Sequence, residues 1–195
     1  MKKVLFAFLL FLFTIQVQAQ LKFGITAGLH FTSESWSGDG SPIEFENLQS
    51  FQIGLALKTE LSDVIHIKGN ALYNIAGARI LDGSGQDLDA FKQNVQLEAR
   101  LAARIFSGFY LEFGPFISYL IDVDEGVNID AFEKLGVGVI PAATLSLGET
   151  LELSGYYQLG LSNLSATEFT DAVGNVLDGS VNAYQYGLRL TFYLN

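Results

Sequence analysis

The chain has 195 residues, 49% of them hydrophobic, with 20 Gly, no Cys and a formal net charge of −10, a length that suits one domain of the usual roughly 100 to 200 residues. The lack of Cys excludes disulfide staples and thiol chemistry, and the acidity makes nucleic acid a poor partner. Beyond the N-terminus no apolar run approaches the roughly 20 residues of a spanning helix, which speaks against a helical membrane protein.

Lys2 and Lys3 lead into the apolar run Val4 to Phe13, followed by a more polar stretch with the small residues Val17 and Ala19 before Gln20. This is the pattern of an export signal, and residues 1–19 are expected to be a cleaved signal peptide. A membrane anchor would need a longer apolar core.

From Gln20 onward the hydrophobic period is two, the mark of strands with two unlike faces. In the first segment Leu21, Phe23, Ile25, Ala27, Leu29 and Phe31 alternate with Lys22, Gly24, Thr26, Gly28 and His30. The second runs from Phe51 to Leu61, with Gln52, Gly54, Ala56, Lys58 and Glu60 on its polar face. The third sets Ile65, Ile67, Ala71, Tyr73 and Ile75 against His66, Lys68, Asn70 and Asn74. The fourth sets Val95, Leu97, Ala99, Leu101 and Ile105 against Gln96, Glu98, Arg100 and Arg104. Four more follow, from Phe109 to Ile121, about Lys134 to Leu147, Leu151 to Leu161 and Ala183 to Asn195.

Connections alternate between short and long. Short turns fall near Ser62-Asp63, Ser107-Gly108 and Gly148-Glu149, and long polar segments at about Thr32 to Ser50, Ala78 to Lys92, Asp122 to Glu133 and Ser162 to Asn182. That asymmetry predicts an all-β fold, an eight-stranded antiparallel up-and-down transmembrane β-barrel with short periplasmic turns and four longer extracellular loops. Residues 20–195 would form the outer-membrane barrel domain. A soluble lipocalin-like barrel has the same period with its apolar face inward, but a nearly pure apolar face opposite a charged, glycine-rich one argues for lipid outside.

A strand of about 10 residues, tilted about 45°, spans roughly 23 Å, close to the roughly 25 Å apolar band of such barrels. Phe31, Phe51, Tyr73, Tyr119 and Tyr184 on the loop side, and Phe23, Phe109 and Phe192 on the turn side, are expected to form the interfacial girdles. The first and last strands must pair, since lipid allows no open edge. Pro115 and Pro141 lack a ladder donor and are expected to mark bulges or weak points.

Lys22, Lys58, Lys68, Arg100, Arg104, Lys134 and Arg189 fall on the expected interior face with Glu60, Glu98, Glu112 and Glu152. They predict a structural core of ion pairs in a lumen too small for a wide channel; the sharper reading is a narrow ion or proton path. The loops hold much of the acid: Glu34, Asp39, Glu44 and Glu46, then Asp82, Asp87 and Asp89, then Asp122 to Glu133, then Glu168, Asp171 and Asp178. Oxygen ligands alternate from Asp122 to Asp130 somewhat as in a calcium loop, but the terminal bidentate Glu is missing, so a solvated loop is the expectation. The loop Asp82 to Asp87 neither follows a buried parallel strand nor opens a helix, so it is no phosphate cradle. His30 with Ser33 and Glu34 is the one group that could serve a lipid enzyme; His66 is expected at the other end of the barrel. No catalytic, cofactor or metal residues are assigned.

Lys22-Phe-Gly-Ile-Thr-Ala-Gly28-Leu, Gly108-Phe-Tyr-Leu-Glu-Phe-Gly-Pro115-Phe, the Gly136-x-Gly138 of the sixth strand, Tyr157 to Leu161 and the signal ending Gln-Ala-Gln together resemble the small outer-membrane β-barrel domain proteins of the Bacteroidetes type, including the PorT-like group. The chain departs from that group in lacking an Ile-Pro in strand four, and its last strand departs from the terminal signal of outer-membrane barrels in ending on Asn195 instead of an aromatic residue. The resemblance implies a barrel in the outer membrane of a Gram-negative cell, with Gln185 to Phe192 as the terminal signal for the barrel assembly machinery. The expected role is non-enzymatic: a structural or interaction protein acting through acidic extracellular loops, with membrane lipid and an extracellular or envelope protein as partners, in envelope integrity, adhesion or secretion. The alternatives are a narrow pore for small solutes or ions and, below it, an outer-leaflet lipid enzyme.

Overall fold

The computed structural model describes residues 21–38, 44–81, 88–123, 133–162, 169–170, 176–177 and 179–194; the signal segment lies outside them. Eight long strands make the wall: β1 (Lys22–Gly38), β3 (Leu48–Glu60), β4 (Ile65–Leu81), β5 (Leu88–Phe106), β6 (Phe109–Val123), β7 (Leu135–Leu147), β8 (Leu151–Gly160) and β11 (Gly179–Leu194). Each pairs antiparallel with its neighbours, and β1 pairs with β11 from Phe23↔Leu194 to Gly38↔Gly179, so the sheet closes. β2 (Glu44–Glu46) extends the β3 edge, one residue out of step: Glu44 faces Leu81, whereas Gln52 faces Asn74. β9 (Phe169–Thr170) and β10 (Val176–Leu177) pair with each other apart from the wall.

Alternation decides which way each strand faces. Odd residues of β1 and β3 such as Phe23, Ile25, Leu29, Ile53 and Leu55 are exposed, Leu55 by 64%, while Thr26, His30, Gln52 and Lys58 are buried. The same holds round the ring, with Leu97, Leu101, Phe113, Ile117, Leu153, Leu188 and Leu190 outside and Lys68, Glu98, Glu112, Glu152 and Arg189 inside. A lipocalin-like barrel is the inverse of this. An apolar belt that encircles the molecule far exceeds the patches that water tolerates, and a closed ring leaves no unpaired backbone edge, so the surface suits the hydrocarbon of a membrane. Barrels of this build belong to the outer membrane.

The short turns are where the sequence puts them. Gly108 (φ 78°) and Gly148 (φ 86°) take left-handed backbone that a side chain would strain. At the first turn Ser62 Oγ accepts from the Ile65 amide at 3.0 Å. Aromatic stacking marks both rims, with Phe106 against Phe109 at 4.8 Å on the turn side, and Phe31 against Tyr186 at 5.6 Å and Tyr157 against Tyr184 at 6.4 Å on the loop side. Tyr157 and Tyr186 join the girdle unforeseen.

Three expectations are corrected. First, the strands outrun the loops assigned from sequence: β1 continues to Gly38, β4 to Leu81, and β5 starts at Leu88. Seventeen residues of tilted strand rise about 40 Å, well over the roughly 25 Å apolar band, so the surplus stands as ribbons on the loop side. Second, the prolines mark weak points, as expected, but neither makes a bulge. Register is unbroken through Pro115↔Val139 and Phe113↔Pro141, and the ladder is interrupted only opposite each missing donor, on the β5 side of Pro115 and the β8 side of Pro141. The register shifts lie at Gln93/Asn94 and Arg104/Phe106 instead. Third, Arg104, Glu60 and Lys134 are exposed at the ends of the wall, so they are no part of the buried ionic core.

Candidate functional site

With apolar side chains turned to lipid, period two sends every second residue into the lumen, where eight strands leave room for little but side chains. Polar residues from β3, β4, β5, β6, β8 and β11 meet there. Arg189 grips Glu98 with both terminal nitrogens, at 2.7 and 2.8 Å. Asn70 and Gln96 each donate to the same carboxylate at 2.8 Å. Arg100 lies 2.8 Å from Glu112 and 3.5 Å from Glu98. Lys68 bridges Glu112 (2.5 Å) and Glu152 (2.6 Å), and Lys58 reaches Glu152 at 2.9 Å. The two ammonium groups lie 5.5 to 5.6 Å from the Tyr110 ring, within cation–π range.

The chain of contacts is continuous: Lys58, Glu152, Lys68, Glu112, Arg100, Glu98 and Arg189 form one ionic plug, and none exceeds 6% exposure. Ions stripped of water to this degree hold only when each is paired, and here every carboxylate lies within ion-pair distance of at least two cationic groups. On its extracellular side lies an amide layer. Tyr156 Oη accepts from Gln52 at 2.7 Å and Gln185 at 2.8 Å, Gln96 and Gln158 exchange bonds at 3.0 and 3.2 Å, and the Arg189 guanidinium sits 4.6 Å from the Tyr156 ring centroid. Phe116, Ile140, Ala142 and Tyr156 pack as an apolar cluster inside the wall.

Above the amides a vestibule of about 90 Å³ opens toward the loops, bordered by Asn74, Asn94, Gln158, Gln185, Ser118 and Tyr184. Glu34 and Lys92 pair across its wall. Alternation therefore placed Lys58, Lys68, Arg100, Arg189, Glu98, Glu112 and Glu152 correctly, and Gln52 and Gln96 of the amide layer with them, left Lys22 half-buried at the rim, and missed Lys92 and the role of Tyr156 as the layer's shared acceptor. Lys92 sits where polar residues crowd both faces of β5 and period two fades.

The structure does not assemble His30, Ser33 and Glu34. His30 Nε2 lies 2.8 Å from the carbonyl of Ile75, Ser33 Oγ donates to the Glu34 carbonyl at 3.4 Å, and the Glu34 carboxylate is taken by Lys92. Among the described residues no group of His and acidic side chains could hold a metal ion. Of the calcium-like segment only Asp122 and Val123 are described, and the Asp82 to Asp87 loop, Asp39, Glu168, Asp171 and Asp178 lie outside the described residues.

The sequence matches no known family model and no curated protein. Among solved structures the barrel is similar to Neisserial surface protein A, with a TM-score of 0.55 at 12% identity over 87% of this chain and 96% of that one. It is also similar to the outer membrane protein OprG from Pseudomonas aeruginosa, with a TM-score of 0.50 at 13% identity over 89% of this chain and 96% of that one. Such identities carry fold and not activity. Closed ring, lipid-facing belt and these likenesses together make the protein a small eight-stranded β-barrel of the outer membrane.

Proposed function

We propose that the protein is a non-enzymatic barrel with a shut lumen, which works through its extracellular face as a structural or interaction protein. The observation that carries this reading is the ionic plug from Lys58 to Arg189, which fills the lumen with paired, buried side chains. The strands that rise beyond the apolar band support it too, since they add wall where only a surface role would use it. Acidic residues in the connecting segments suit an envelope or extracellular protein as partner, and the PorT-like resemblance points to the same class of protein. The terminal strand β11, with Phe192 and Leu194 facing outward, suits recognition by the assembly machinery during insertion.

The competing reading is a narrow pore, favoured by the vestibule that leads down to the Gln96–Gln158 pair. Planar-bilayer recordings separate the two. A shut barrel gives no conductance steps above lipid background, and discrete steps from the purified protein would overturn the proposal. For catalysis on lipid, the lipid A of cells overproducing the protein is expected to be unchanged.

A further inference from the structure

The vestibule has the chemistry of a binding site. Asn74 on β4 is 1% exposed, and its Nδ2 donates to Gln185 Oε1 at 3.3 Å, but its Oδ1 has no partner. Directly opposite in register stands Asn94 on β5, whose Oδ1 is also unpartnered. Side chains of opposed residues lie about 5 Å apart at Cβ, so two carbonyl acceptors, one of a buried and one of a half-buried amide, border one cavity. Neither acceptor has a donor within the protein, so both are left to whatever fills the cavity, and a ligand bearing hydroxyl donors can pair with them.

Charge and size narrow the ligand. The lining holds two carboxylates, Glu34 and Glu133, and two ammonium groups, Lys92 and Lys134, so it has no net sign to select an ion. A water needs about 15 Å³ of such space. The cavity's 90 Å³ is several times that minimum and opens toward the loops, which suits a ligand of about one sugar ring. Hydroxyls of Ser118 and Ser162 and the ring of Tyr184 add neutral hydrogen-bonding groups and apolar surface to this balanced lining.

We infer that the vestibule binds a small, uncharged, hydroxyl-rich ligand the size of one monosaccharide unit, held by Asn74 and Asn94. The inference deepens the reading above, because it rests on the extracellular end being the working end. Conductance steps would overturn that reading and leave this one to be decided at the two asparagines.

The test uses the full barrel in a detergent without a sugar headgroup, with methyl α-D-glucopyranoside, methyl β-D-galactopyranoside and N-acetylglucosamine as probes and glucose 6-phosphate as the charged comparison. Saturable shifts of the Asn74 and Asn94 side-chain amide NMR signals are expected with at least one neutral probe, at a Kd of about 1 mM, the affinity of a few hydrogen bonds. Asn74→Leu is expected to weaken binding about tenfold, and Asn94→Ala, at the less buried position, to weaken it in the same direction if Asn74→Leu fails to fold. No saturable shift with any of the three neutral probes, preference for glucose 6-phosphate, or unchanged affinity in the folded variants overturns the inference.

Discussion

Glu98 has Arg189, Arg100, Asn70 and Gln96 around one carboxylate, so Glu98→Gln leaves a buried guanidinium facing no charge. Breaking a buried pair from one side costs about 3 to 5 kcal/mol, and urea titration in lipid vesicles is expected to show a loss of that size. Glu98→Leu combined with Arg189→Met removes both members of the bidentate pair and should recover much of the loss, since Arg100 keeps Glu112 at 2.8 Å. A single variant as stable as the parent would mean that the plug contributes nothing. Glycines make a sharper contrast. A Cβ at Gly114 would meet the Ala99 carbonyl at 1.9 Å, whereas one at Gly155 meets only Leu188 Cδ2 at 3.8 Å. Gly114→Ala should therefore abolish or slow formation of the heat-modifiable folded band, and Gly155→Ala should leave it intact. Interior charges were legible from parity alone, because the lipid face fixes the other face. The Asn74–Asn94 pair was not, since it arises from register between two strands and no local motif announces it.

At the scale of the strand, depth in the membrane sets the cost of a charge. Leu55 lies mid-strand in β3 and is exposed to lipid, and Leu61 lies in the turn that follows. Leu55→Arg should cost about 2 to 4 kcal/mol and Leu61→Arg about 0 to 1 kcal/mol by the depth dependence of such barrels, again read by urea titration. Equal costs would put the membrane elsewhere. The wall segments facing lipid were legible because only there must one face be apolar. Where the strands outrun the roughly 25 Å apolar band the outward face need no longer be apolar, so Thr32 to Gly38 and Ala78 to Leu81 read as loop although they continue the ladder. The prolines were legible as weak points, and only the bulge did not follow. A missing donor can be absorbed by an interrupted ladder without a change of register when the flanking pairs hold, as they do at Glu98↔Phe116 and Leu101↔Phe113.

For the whole molecule, closure joins these scales: it removes the sheet edges, fixes which residues face inward and brings the plug together from six strands. Its seam is β1 against β11, the two strands most distant in sequence, and there Thr26 Oγ1 and Thr191 Oγ1 touch at 2.9 Å. The chain has no Cys, so Thr26→Cys with Thr191→Cys introduces a lone pair of thiols across the seam. Mild oxidation of this variant in isolated outer membranes, followed by a gel with and without reductant, is the most direct test of the account. The closed barrel predicts a disulfide within one chain that forms readily and changes mobility on reduction. Two thiols that stay free to label, or that link only between chains, would contradict closure and with it the shut lumen.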